Sequence, residues 1–158
     1  MNKKLSDWAS IAEIISGIAV VVTLIFLIAG IRENTAVMRA SEYSDLMESL
    51  NNFQVAQMTD PDSVRVWDAY IFRRTDELSA LDRQRLNLAV LTLFRTYESA
   101  YFSNAYGLMG DVEWDRFRVA ICGHYPRVRN NFLQELLTGI LSAEFWDYVI
   151  DSCSASAE

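Results

Sequence analysis

The chain has 158 residues, half of them apolar, and a formal net charge of −7. Residues 32–158 carry twelve arginines against nineteen acids, and such an acidic excess makes a poor binder of phosphate backbones, which excludes nucleic acid as a partner. No lysine follows Lys4, so Schiff-base and P-loop lysine chemistry are excluded as well.

The first element is apolar. Eighteen consecutive residues, Ile14–Ile31, are uncharged, and extension back to Trp8 adds only the acid Glu13. About twenty helical residues cross the hydrocarbon core of a bilayer. A secretory signal core is shorter, about 7–15 residues, so the run is expected to be a retained transmembrane helix over residues 8–31 behind a short tail at 1–7. Glu13 suits the end of such a span, where its carboxylate reaches headgroups or water and the positive end of the helix dipole favours an anion. It also suits a polar contact between neighbouring spans.

One face of this helix differs from the others. Steps of three and four from Ala9 meet Ala12, Ser16, Ala19, Thr23, Phe26 and Gly30, all small except Phe26, while Ile, Leu and Val fill the remaining faces. Small residues allow close backbone approach, and a 3–4 repeat is the seam of a left-handed helix pair or ring. Ala9, Ala12, Glu13, Ser16, Ala19, Thr23 and Gly30 are therefore the expected helix–helix interface. Lys3 and Lys4 before the span balance Arg32 and Arg39 after it, so flanking charge assigns no orientation.

No Pro or Gly interrupts residues 31–60, and apolar residues recur near a 3.6 period from Val37 to Phe53. The helix is expected to continue to about Met58 as a juxtamembrane extension over 32–60. Asp60-Pro61 then gives an N-cap and a first helical residue for a second helix reaching about Arg74. Ser79 caps a third, with Asp82 as an acidic N3 partner, running from Ala80 to a stop at Gly107. A fourth opens near Asp111 and is expected to close at Gly123. A fifth opens at Pro126 and closes at Gly139. Ser142 caps a sixth, and the small, polar residues 154–158 are expected to be a flexible tail. With no alternating strand pattern, the fold class is all-α: one transmembrane helix continuing into a long helix, then a small acidic helical bundle over 61–153.

Motifs for chemistry are missing. His124 is the only histidine, so a di-iron bundle with two Glu-x-x-His pairs is ruled out. The stretch DVEWDRF at Asp111 lacks the Gly and Glu of a calcium loop at positions six and twelve. Cys122 and His124 are two apart, which turns them to nearly opposite sides of a helix, and Gly123 is expected to end that helix; a Cys–His dyad is not expected. The two cysteines, Cys122 and Cys153, make no metal-type pair and are too few for a disulfide framework. They form one bridge if the domain is exported and leave the compartment open. The sequence points to no catalytic residue, cofactor or metal. Close arginine pairs, Arg73/Arg74 among them, read mainly as a solvated, ion-paired face. Together with Arg32 and Arg39, Arg73 and Arg74 are the expected contacts if anionic lipid or an acidic partner is bound.

The stretch LIFLIAGIRENTAVMRASEY resembles a signature of small bacterial single-pass membrane proteins, a domain of unknown function. In that family the span runs into a Gln-Ile-Arg-x-Asn-Thr segment. Here Ile31, Arg32, Asn34, Thr35 and Arg39 match, and Gly30 stands in place of Gln. RTYESAYFSNAYGLMGDVEWDRF and YPRVRNNFLQELLTGILSAEFWDYV are similar to the family's later helices. The resemblance implies no activity; the family's basic juxtamembrane side implies a cytoplasmic domain on a bacterial inner membrane.

The functional expectation is a non-enzymatic membrane protein that self-assembles as a homo-oligomeric scaffold. The alternative is an accessory subunit docking on a larger membrane complex. Ser16 and Thr23 on the seam also admit a narrow pore.

Overall fold

A computed structural model describes residues 3–129 and 131–154, with side chains from Glu13 onward and at Trp8. The seam residues Ala9 and Ala12 therefore lie outside the described side chains, and 155–158 of the expected tail lie outside altogether. Among the described residues there are six α-helices and no strand: α1 Lys3–Thr59, α2 Pro61–Ile71, α3 Ala80–Ala105, α4 Asp111–Val128, α5 Phe132–Ile140 and α6 Ala143–Ser154, with a 3₁₀ turn at Thr75–Glu77. The fold is all-α.

The chain divides into two compact units, Met1–Met38 and Arg39–Glu158. Residues 39–60, which the apolar pattern assigns to a juxtamembrane extension, belong to the second unit.

In the first unit, α1 holds a segment long and apolar enough to cross a membrane, and none of its most apolar stretch is buried. A soluble core helix of this composition would be covered. Glu13, Ser16, Ala19, Thr23 and Gly30 are all exposed.

The second unit has a continuous core. Tyr70, Leu86, Val90, Phe94, Ile121, Leu133 and Phe145 are fully buried, drawn from α2 to α6. Leu46 and Phe53 bring the later part of α1 into the same cluster. Polar contacts fix that part of α1 against α3: the Ser103 hydroxyl meets Glu42 at 2.5 Å, and Ser49 meets Thr96 at 3.3 Å. Arg39 Nε donates to the Gly107 carbonyl at 2.8 Å.

The caps at Asp60 and Ser79 form as the sequence predicts, with Asp60 accepting from the Ser63 N–H and Ser79 from the Asp82 N–H. Other boundaries differ. α2 stops at Ile71, because Arg73 turns left-handed at φ 57° and the Arg73 and Arg74 N–H groups bond back to Tyr70 and Ala69. Gly123 does not end α4. It keeps a helical backbone, Gly107 being the only glycine at positive φ among the described residues. Pro126 does not open α5 but lies inside α4, and Asn131 caps α5 instead by accepting from the Leu133 N–H. Pro126 has no N–H to give back to the preceding turn. Beside it the Arg127 guanidinium bonds the Gly123 carbonyl and reaches the Ile71 carbonyl at 3.2 Å. Gly139 likewise stays within α5, which closes at Leu141.

Cys122 on α4 and Cys153 on α6 form a disulfide across 31 residues, and no free cysteine is left. The sequence left this bridge open, conditional on export of the domain.

Candidate functional site

The expected interface and the expected arginine contacts fall in different units. On α1, Ser16, Ala19, Thr23 and Gly30 present their small side chains to the outside. The Thr23 hydroxyl donates to the Ala19 carbonyl at 2.8 Å, within its own helix. Its hydrogen-bonding need is thus met without a neighbour, and it leaves the stripe smooth. Phe26, the one large residue on the stripe, is 73% exposed. Gly17 and Gly30 have nothing within 4 Å of where a Cβ would stand. Arg32 is exposed.

In the second unit Arg39 is tied to the Gly107 carbonyl. Arg74 pairs with Asp68 at 2.5 Å and lies over the Phe72 ring at 5.7 Å. Arg73 is exposed at its left-handed position. Two of the four arginines expected to meet lipid or a partner, Arg39 and Arg74, are therefore engaged within the domain. Three-residue spacing offers Asp82–Arg85, Glu113–Arg116 and Asp115–Arg118 as ion pairs; Asp115–Arg118 forms at 2.5 Å and Asp82–Arg85 at 3.8 Å, whereas Arg116 reaches the Tyr43 hydroxyl at 3.4 Å instead. Arg65 makes the closer contact with Asp82, at 2.8 Å. The hydrogen bonds from Arg65 and then from Ser79 hold the Asp82 carboxyl down at about 2, so it is charged throughout the physiological range.

The structure also assembles a feature that sequence reading missed. Later α1, α2, α3 and α4 enclose a groove of about 620 Å³ within the second unit. Its walls include Phe53, Trp67, Tyr97 and His124. Phe53 meets Trp67 edge-on at 5.3 Å between ring centres. Trp67 stands 6.1 Å from the His124 ring, and Tyr97 6.0 Å from it. Behind the groove, the Tyr70 hydroxyl meets His124 Nδ1 at 3.1 Å. Burial, and after it the Arg127 charge, pushes His124 down to about 4, which leaves the ring neutral near pH 7. Burial pushes the Tyr70 and Tyr97 phenols up, so both stay protonated.

The signal for this groove was faint. Trp67 and Tyr97 sit on apolar helix faces and read as core. Only the solitary His124, among apolar neighbours, stood out. Among the described residues no three His, Cys, Asp or Glu side chains converge as metal ligands. No family model, curated protein or solved structure matches the chain.

Proposed function

We propose that this is a non-enzymatic, single-pass protein of a bacterial inner membrane, assembling as a homo-oligomer through the small-residue stripe of α1. One observation carries the reading. Ser16, Ala19, Thr23 and Gly30 are all exposed in the isolated chain, on a helix apolar enough for a bilayer. In lipid the hydrophobic effect does not bring helices together, so close packing of small residues is the main source of association. The Thr23 hydroxyl, bonded back to the Ala19 carbonyl of its own helix, favours a packed seam over a water-lined pore. Replacing Ser16 and Ala19 with Leu is expected to convert the oligomer to monomer in mild detergent. An unchanged particle size sinks the proposal. Stoichiometric co-purification with other subunits would instead favour the accessory reading, in which the same stripe docks on foreign helices.

The disulfide bears on the side of the membrane. Bridged cysteines persist in oxidising compartments and are rare in reducing cytosol. The Cys122–Cys153 bridge therefore supports residues 39–158 facing the exported side, against the cytoplasmic side that the family resemblance implies. In intact cells, neither cysteine should react with a membrane-impermeant maleimide until a reductant is added. Thiols that react only after the membrane is opened, without reductant, would return the domain to the cytoplasm.

A further inference from the structure

The 620 Å³ groove between later α1, α2, α3 and α4 has the dimensions of a small-molecule site. Its chemistry narrows the ligand. Trp67 and Phe53 give flat apolar walls, and Ala120 leaves space on the α4 side. The one carboxylate on the lining, Asp68, is already paired with Arg74 at 2.5 Å. The neutral ring of His124 and the intact phenols add no charge, so nothing in the groove selects an ion.

What it offers is a hydrogen-bond donor. Tyr70 is fully buried, and its hydroxyl has no partner among the described residues other than His124 Nδ1. A buried hydroxyl that only accepted would leave its own proton unpaired, so we assign the Tyr70 proton to Nδ1 and the histidine proton to Nε2. Nε2 has no hydrogen-bond partner among the described residues, and His124 lines the groove. Tyr97, also on the lining, brings a protonated hydroxyl within the same ring cluster.

We propose that this groove binds a small, uncharged, planar molecule that lies along Trp67 and accepts a hydrogen bond from His124 Nε2. Aromatic surface supplies the contact area, and the Nε2 donor at the groove selects ligands that carry a carbonyl-type oxygen. The site is independent of the α1 stripe and of the side of the membrane.

The test uses the full chain in lipid nanodiscs, with 2-methyl-1,4-naphthoquinone as probe and calorimetric titration as readout, corrected against empty discs. Saturable binding is expected, with about one probe per chain. Ala120→Leu, which fills the groove, should abolish it. Ile71→Phe across the groove repeats the test if the first variant loses its cooperative melt. His124→Phe keeps a ring but loses the donor, and should weaken the quinone about ten-fold, the effect of one lost hydrogen bond. It should leave 2-methylnaphthalene, which has no acceptor, bound as before. No saturable binding to the natural chain overturns the proposal. So does equal binding by the groove-filled variants, or equal quinone binding by His124→Phe.

Discussion

Phe26 and Phe145 are the same residue type, each on a helix, at opposite ends of the burial range: Phe26 is 73% exposed and Phe145 fully buried. The contrast runs through the two units. In residues 13–38 Ile14, Val20, Leu24, Leu27 and Ile31 are all at least half exposed. That helix is held by its own backbone hydrogen bonds and needs an apolar surrounding for its side chains. Residues 39–158 bury or half-bury their aromatics, Phe72 and Tyr106 apart, and need no bilayer for their core. One sequence thus uses apolar residues in two ways, outward along a helix long and apolar enough to cross a membrane, and inward for packing.

Truncation separates the two uses most sharply. Phe145→Ala leaves a cavity in a closed core and is expected to cost about 3–5 kcal/mol. Phe26→Ala is expected to change the unfolding of residues 39–158 by less than about 0.5 kcal/mol. Chemical denaturation of the full chain in mild detergent, followed by tyrosine and tryptophan signals, measures both. Similar losses from the two would erase the distinction.

The disulfide belongs only to the second unit. It closes a loop of 31 residues between α4 and α6, for which the chain-entropy model gives about 3–4 kcal/mol. Cys122→Ser with Cys153→Ala should lower the denaturation midpoint accordingly, and a reductant should do the same to the natural chain. Helicity of α1 should not change.

A third contrast is set by pH. Burial holds His124 near 4 in the folded domain, against 6.5 when unfolded. The unfolded chain therefore takes up the proton first. The contribution to stability is complete above about pH 6.5 and is lost as pH falls towards 4, by up to roughly 3 kcal/mol. His124→Gln, which retains an acceptor for Tyr70, should flatten stability between pH 6.5 and 4. An unchanged slope would mean that the histidine is hydrated in the fold.

How much of this was legible depends on the range of the interaction. Asp60 and Ser79 declared their caps because donor and acceptor lie three residues apart. The apolar run from Ile14 to Ile31 is visible because a bilayer demands an unbroken length. Gly123 and Pro126 misled for a local reason with a distant remedy. Glycine stops a helix only where the next turn calls for positive φ, and Arg127 reaches the Ile71 carbonyl 56 residues away beside the proline. The groove was hidden for the same reason. Tyr70 and His124 are 54 residues apart, and no period on one helix places Phe53, Trp67, Tyr97 and His124 around a common space. The small-residue stripe was readable as a pattern, because its residues recur at alternating steps of three and four.

The smallest effect concerns the backbone. Gly17, on the exposed helix, has a helical conformation and nothing within 4 Å of a built Cβ. Gly107 also has open space around it, but its φ of 70° ends α3, with its N–H bonded to the Asn104 carbonyl and the Leu108 N–H to the Ser103 carbonyl. Alanine at 17 should keep or slightly raise the helicity of α1, since alanine favours a helix by about 1 kcal/mol over glycine, and should leave the unfolding of residues 39–158 unchanged. Alanine at 107 is forced left-handed and should destabilise residues 39–158 by about 1 kcal/mol. Arg73 closes α2 with the same pair of backbone bonds at φ 57°, but with a side chain where Gly107 has none. Arg73→Gly should therefore stabilise the domain, by about 0.5–1 kcal/mol, since relief of the left-handed strain outweighs the added freedom of the unfolded chain. Equal responses to alanine at 17 and 107 would mean that the α3 end is not a fixed turn. A loss on Arg73→Gly would show that the arginine side chain stabilises the α2 end by more than its backbone strain costs.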